Sequence, residues 1–190
     1  MKRQIKRRLK RKMNQLIILI MVVSLGIFKF DTVGELFAAI TGTEEKSTVT
    51  RECRVTSVHD GDSMRVRCPG FKKTLPIRLN YIDAPETDQA YGIWARDQLR
   101  QLCKKGSAVT VLDEGKDVYN RHLGQVHCDG IHANAAMVEQ GAAWVYEYYA
   151  PEDSDLYELQ AQAQAKKRGL WKATNPTPPW DFRYRQRNKR

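Results

Sequence analysis

Residues 58–63 read Val58-His59-Asp60-Gly61-Asp62-Ser63, and the segment that follows closes on Arg78-Leu79-Asn80-Tyr81-Ile82-Asp83-Ala84-Pro85-Glu86. An Asp-Gly pair between two strand-like runs signals a two-residue hairpin, joining a strand over 54–59 to one over 63–68. Leu75, Ile77, Leu79 and Tyr81 alternate and predict a third strand. The same stretch sets carboxylates and an arginine at strand ends and turns, where side chains can converge on one cleft. A second arginine follows in Asp117-Val118-Tyr119-Asn120-Arg121. Carboxylates able to hold a hard cation, with two guanidinium groups able to clamp an anion, are the parts needed to break a phosphodiester.

Further along the chain, Trp94, Ala95, Leu99, Leu102 and Cys103 recur at helical spacing, with Gly106 placed to end that helix. Residues 108–112 and 123–128 read as two more strands. A short helix over 133–140 stops at Gly141, and a last one spans 155–168, with Asp155 as candidate cap and Gly169 at its end. Five strands with a helix between the third and fourth are the ingredients of a closed oligonucleotide-binding (OB) barrel, an α+β fold with three helices. From Asn175 onward, Pro176, Pro178 and Pro179 interrupt regular structure and Trp180-Asp181-Phe182-Arg183-Tyr184-Arg185 opens a basic, aromatic tail. The division is then 1–30 leader, 31–50 linker, 51–174 barrel domain and 175–190 tail.

The chain of 190 residues has a formal charge of +10, unevenly placed. Residues 1–12 hold eight Lys/Arg and no acid, and 181–190 hold five Lys/Arg and one Asp, which leaves 13–180 near neutral with 19 basic and 21 acidic residues. Net charge therefore does not argue for a nucleic-acid-binding body; local placement of Arg78 and Arg121 must carry that. The basic head precedes an apolar run over 16–28, about the length of a secretory h-region and shorter than the ~20 residues of a full span. Export is expected, by a cleaved signal or with 16–28 retained as a membrane anchor, which places the domain in the periplasm or outside the cell.

Four cysteines fit an oxidising compartment. Cys53 and Cys68 each lie seven residues from the Asp60-Gly61 pair, so a turn there sets them face to face within disulfide reach. Cys103 and Cys128 read slightly better as buried thiols than as a second bridge. The absence of a Cys-x-x-Cys argues against zinc, and His59, His122, His127 and His132 show no ligand spacing and read as surface or structural.

Together these residues resemble the staphylococcal (micrococcal) nuclease, or thermonuclease, family over roughly 52–172. The resemblance rests on Asp60-Gly61-Asp62, Arg78-Leu-x-x-Ile-Asp83-Ala-Pro-Glu86-Thr87, Tyr119-x-Arg121-x-Leu-Gly, Gly130-x-x-x-Asn134 with Val138-x-Gln140-Gly141, and Ala163-x-Ala165-Lys-Lys-x-Gly169-Leu-Trp171. It implies a monomeric OB-barrel enzyme that uses Ca2+ to cut DNA and RNA with low sequence specificity, leaving 3′-phosphates. It further implies Asp62, Asp83 and the carbonyl of Ala84 as calcium ligands, Arg78 and Arg121 as phosphate clamps, and Glu86 as the base acting on water; Tyr119 and Tyr149 read equally well as lining the nucleotide site or as core or rim tyrosines. Three positions depart from the family pattern. Asn120 stands where glycine is usual, the loop after Glu86 is short, and Glu147 replaces a substrate-side tyrosine. The alternative is an OB-type module that binds nucleic acid or protein without cutting.

Overall fold

The computed structural model describes residues 48–188; the expected leader, its apolar run and nearly all of the linker fall outside the described residues. Among the described residues no helix is long and apolar enough to cross a membrane. The strands are β1 (Val49–Val58), β2 (Ser63–Arg67), β3 (Leu75–Leu79), β4 (Ile82–Asp83), β5 (Ala108–Lys116), β6 (His122–Cys128), β7 (Ile131–His132) and β8 (Trp144–Val145). The helices are α1 (Gly92–Leu102), α2 (Ala133–Glu139), α3 (Leu156–Ala165) and α4 (Pro179–Arg187), with a 3-10 turn at Gly169–Lys172 between the last two.

Strands β3, β2, β1, β5 and β6 pair in that order, and a parallel β3–β6 pairing closes them into a five-stranded barrel. Alternation fills it: Val55, Val66, Ile77, Val111 and Val126 from the five strands are almost fully buried. Helix α1 contributes Ala95 and Leu99 to the same core, and α2 contributes Met137 and Val138. The seam is pinned by Asn134. Its Nδ2 donates to the carbonyls of Asn80 (2.9 Å) and Gly124 (3.2 Å), and its Oδ1 accepts the Val126 N–H (2.9 Å). A second polar knot ties β1 to the β5–β6 hairpin: Asp113 Oδ2 lies 2.9 Å from Arg51 Nε and 2.7 Å from His122 Nδ1. Burial alone would raise the Asp113 pKa, but hydrogen bonds from Arg51, the Gly115 N–H and His122 outweigh it and hold the carboxyl below its usual range. His122 is thus a buried structural residue.

Four local expectations are corrected. Asp60-Gly61 is no two-residue turn, because Asp60 lacks the positive φ that the favoured hairpin turns require at their first central position. Instead the Asp60 carboxylate accepts the Asp62 N–H (3.0 Å) and the Ser63 hydroxyl (2.6 Å), which organises a longer connection. The third strand stops at Leu79, because Tyr81 adopts φ 66° and turns the chain into β4. Asp155 precedes α3 but makes no side-chain capping bond. The proline-rich tail forms α4, giving four helices where three are expected. Pro179 sits in the first turn, where its missing N–H costs nothing, Asp181 lies in the first turn and Arg185 and Arg187 in the last.

Both cysteine pairs are bridged. Cys53–Cys68 joins β1 to the residue that follows β2, and Cys103–Cys128 joins the end of α1 to the end of β6 with Cα atoms 5.2 Å apart, so Cys103 and Cys128 are not thiols. The bridges close loops of 15 and 25 residues. On the chain-entropy account the shorter one contributes about 3 kcal/mol and the longer somewhat more. Reductant should therefore lower the urea midpoint of the folded protein well below that of the oxidised form. Superimposable unfolding curves would show that the bridges contribute no stability.

Candidate active site

The site is built at the β3–β6 seam, where five segments end. At the β1–β2 connection, Gly61 lets the backbone pass close to two neighbours: a Cβ there would lie 2.6 Å from Ala84 Cβ and 2.9 Å from Ala95 Cβ. This approach carries Asp62 inward, where it is 6% exposed. Asp62 Oδ2 accepts the Ala84 N–H at 2.7 Å and lies 3.2 Å from Arg78 Nη2. Burial pushes the Asp62 pKa well up, Arg78 opposes this, and the charges of Asp60 and Asp83 add to it.

Arg78 projects from β3, a position that free alternation reads as an outward charge. Its guanidinium is fixed instead. Nη1 donates to the carbonyls of Leu79 (2.7 Å) and Ile82 (2.8 Å), and Nη2 to Asp83 Oδ1 (3.0 Å). Asp83 ends β4, which pairs with β8, and is 1% exposed. Three residues on, Glu86 begins the loop to α1. Its N–H donates to Gln89 Oε1 (3.2 Å) and its carbonyl accepts the Gln89 N–H (2.9 Å).

Arg121 arrives from the opposite side, on the β5–β6 connection. The Asp117 carboxylate holds this loop, accepting the N–H groups of Tyr119 (2.9 Å) and Arg121 (3.0 Å) and the Arg121 Nε (2.8 Å). Burial would raise the Asp117 pKa, but these bonds and the Arg121 charge outweigh it and lower the pKa. Asn120 takes φ 61°, the left-handed conformation that the usual glycine supplies, so the turn survives the replacement. Among the described residues Nε is the only guanidinium nitrogen of Arg121 bonded to protein. Its Cζ lies 5.6 Å from the centre of the Tyr119 ring.

Asp62, Arg78, Asp83, Ala84, Glu86, Tyr119, Arg121 and Tyr149 all line one cleft of about 770 Å³. Tyr119 (78% exposed) and Tyr149 (69%) stand at its rim. A further residue enters that sequence reasoning assigned only to the tail: Arg183 of α4. Its Nη2 donates to Asp83 Oδ2 (2.7 Å), and its Nη1 to Asp83 Oδ1 (3.1 Å) and Glu86 Oε1 (2.8 Å). Burial would lower the Arg183 pKa, but these carboxylates raise it further. The signal available was Trp180, three residues earlier on the same helical face. It stacks on Tyr146 (5.6 Å) and meets Trp144 edge-on (5.8 Å), seating α4 beside the cleft.

Among the described residues no three His, Cys, Asp or Glu side chains form a group able to hold a metal ion. Guanidinium groups stand between the carboxylates. The donor chemistry still fits a hard cation. Asp62 and Asp83 supply buried oxygens, Asp62 resists ionisation there, and guanidinium cations presently compensate the pair.

The family model described as Staphylococcal nuclease homologue matches residues 76–173, just over half of the chain. An uncharacterized endonuclease of Escherichia coli O157:H7 is 46% identical over 134 residues, covering 70% of this chain and 85% of that protein. The micrococcal nuclease of Shigella flexneri is 35% identical over 144 residues, 70% of this chain and 81% of its own. An uncharacterized endonuclease of Haemophilus influenzae is 37% identical over 143 residues, covering 75% and 76%. The barrel, the cleft at its seam and these similarities agree: the chain belongs to the staphylococcal nuclease family.

Proposed function

We propose that this protein is a calcium-dependent nuclease that hydrolyses DNA and RNA with little sequence preference and leaves 3′-phosphates. It is a phosphodiester hydrolase. The observation that carries the reading is the convergence of Asp62, Arg78, Asp83, Glu86 and Arg121 on one cleft from separate elements. Nucleases of this family are generally metal-dependent. Asp62, Asp83 and the Ala84 carbonyl would hold calcium, which when bound would supply Lewis-acid polarisation and charge neutralisation at the phosphate.

The remaining chemistry belongs to the chain. Glu86 takes the proton from water as its oxygen bonds to phosphorus, the P–O5′ bond breaks, and the departing 5′-oxygen takes a proton from solvent. Arg121 offers the phosphate its terminal nitrogens, which bond to no protein atom among the described residues, and Arg78, fixed by two carbonyls, keeps positive charge beside it. Tyr119 and Tyr149 at the rim offer faces on which bases or sugars can rest. Export, by cleaved signal or retained anchor, belongs to the same proposal. Two disulfides support an oxidising compartment, and the basic head before 16–28 supports translocation.

The full-length protein should degrade heat-denatured DNA and RNA with calcium and stop when EGTA is added, giving ends that a polymerase extends only after phosphatase treatment. Cleavage that continues under chelation overturns the calcium assignment. Tight binding of both polymers with no cleavage under any divalent ion favours the non-catalytic binding module.

A further inference from the structure

Helix α4 lies C-terminal to the segment matched by the family model, yet it delivers a cation to the two carboxylates that the proposed chemistry uses. Arg183 engages both oxygens of Asp83 and one of Glu86, at 2.7, 3.1 and 2.8 Å. Asp83 Oδ1 is shared between Arg78 and Arg183, and its Oδ2 belongs to Arg183. With Asp83 only 1% exposed, another cation reaches it only as a guanidinium withdraws.

The two arginines are not equally free to leave. Arg78 is 13% exposed and tied to two backbone carbonyls. Arg183 is 37% exposed, and among the described residues its side chain has no hydrogen-bond partner beyond the two carboxylates. Withdrawal of Arg183 also need not unseat α4. Trp180 against Tyr146 and Trp144, buried Pro179, and the bond from Gln89 Nε2 to the Thr177 carbonyl (2.6 Å) hold that segment without it. Electrostatics give the direction of exchange. Asp62, Asp83 and Glu86 set three carboxyl groups against the two guanidiniums of Arg78 and Arg183, and exchanging the single charge of Arg183 for a divalent cation brings the cluster closer to balance.

We propose that Arg183 is an internal counter-ion that competes with the divalent cation for Asp83 while it occupies Glu86, so that α4 sets the calcium concentration at which the enzyme becomes active. The inference rests on the metal-dependent reading above. A protein whose binding-competent state is held to a fraction of its population shows an apparent affinity reduced by that fraction. Removing the competitor restores it.

The test is calorimetric titration of calcium into the full-length protein without substrate, for the wild type, Arg183→Ala and Arg183→Lys, with circular dichroism and Tm recorded for each. The alanine variant should bind calcium at least about tenfold more tightly than wild type. Lysine, a point charge that cannot fork onto both Asp83 oxygens, should fall between them. The calcium concentration for half-maximal cleavage should move in the same order. An alanine variant with unchanged or weaker calcium binding overturns the inference; a purely structural arginine gives this result, with a lower Tm and the same Kd. If none of the three chains binds calcium, the metal-dependent reading fails and this inference fails with it. Binding at an unchanged constant sinks the inference alone.

Discussion

Arg121→Ala is expected to lower kcat/KM on heat-denatured DNA by about 10²–10³-fold, the usual loss when one donor aimed at developing transition-state charge is removed. The effect should fall mainly on kcat, because charge on the phosphoryl oxygens grows as the water oxygen bonds to phosphorus. The structure argues that the fold will tolerate the change. Arg121 lies on a connection, its side chain is about one-third exposed, and Asp117, its one side-chain hydrogen-bond partner among the described residues, keeps its bonds to the backbone N–H groups of Tyr119 and Arg121. Arg121→Lys should recover little, since an ammonium cannot offer two parallel donors. Glu86→Gln should fall as far for a different reason: the amide keeps the shape and loses the proton acceptor. Full kcat/KM in both Arg121→Ala and Glu86→Gln, measured with Tm as a folding control, would falsify the assignment of roles.

Much of the architecture was legible in the sequence because the barrel strands alternate. Ile77 and Leu79 point into the barrel and Arg78 does not, and the cleft lies where that strand ends. The register was legible for a reason that needed correction. A two-residue turn predicts Cys53 opposite Cys68, and the bridge is there. The actual connection shifts the pairing by one, to Val58 opposite Met64, and a bulge between Val55 and Ser57 restores it to Val55 opposite Val66. Two departures from ideal geometry cancel before the cysteines are reached.

What stayed illegible was tertiary. Nothing local at Cys103 or Cys128 announces a partner, because their approach depends on how α1 lies across the end of β6. Tyr81 reads as the next member of an alternating strand, yet the chain must turn there to place Asp83, and φ 66° on a tyrosine is a conformation that local preference opposes. The Asn80 side chain offsets part of that cost by accepting the Tyr81 N–H at 3.0 Å. Prolines at 176, 178 and 179 read as an end to regular structure. They are compatible with helix α4 because the last occupies its first turn, and the helix is held by aromatic contacts with residues some 35 positions away. Arg183 was therefore seen as tail charge rather than as a partner of Asp83 and Glu86. The pattern gave its charge, but its destination follows only from where Trp180 docks.

Gly92→Ala should cost about 10²-fold in kcat although Gly92 carries no reactive atom, since a displacement near 1 Å at a reacting group is worth that much. Gly92 opens α1, its φ is not positive, and alanine would ordinarily favour the helix there by about 1 kcal/mol. Its constraint is space. A Cβ at this position would overlap the Glu86 carbonyl group and lie 3.0 Å from Thr87 Cα, and both neighbours are backbone that no rotamer change can clear. The Glu86–Gln89–Gly92 turn, closed by N–H to carbonyl bonds of 2.9 and 3.0 Å, must therefore open, and Glu86 moves with it. Such overpacking costs about 1–3 kcal/mol of stability, which the helical preference of alanine partly offsets, so Tm should fall only modestly while kcat collapses. Gly130→Ala supplies the control: φ is +82°, so alanine there is strained, but nothing lies within 4 Å and no active-site residue depends on it. That variant should lose stability and keep kcat. If Gly92→Ala turns over at the wild-type rate, the carboxylate of Glu86 does not have to sit where this loop holds it, and its role as base goes with that requirement.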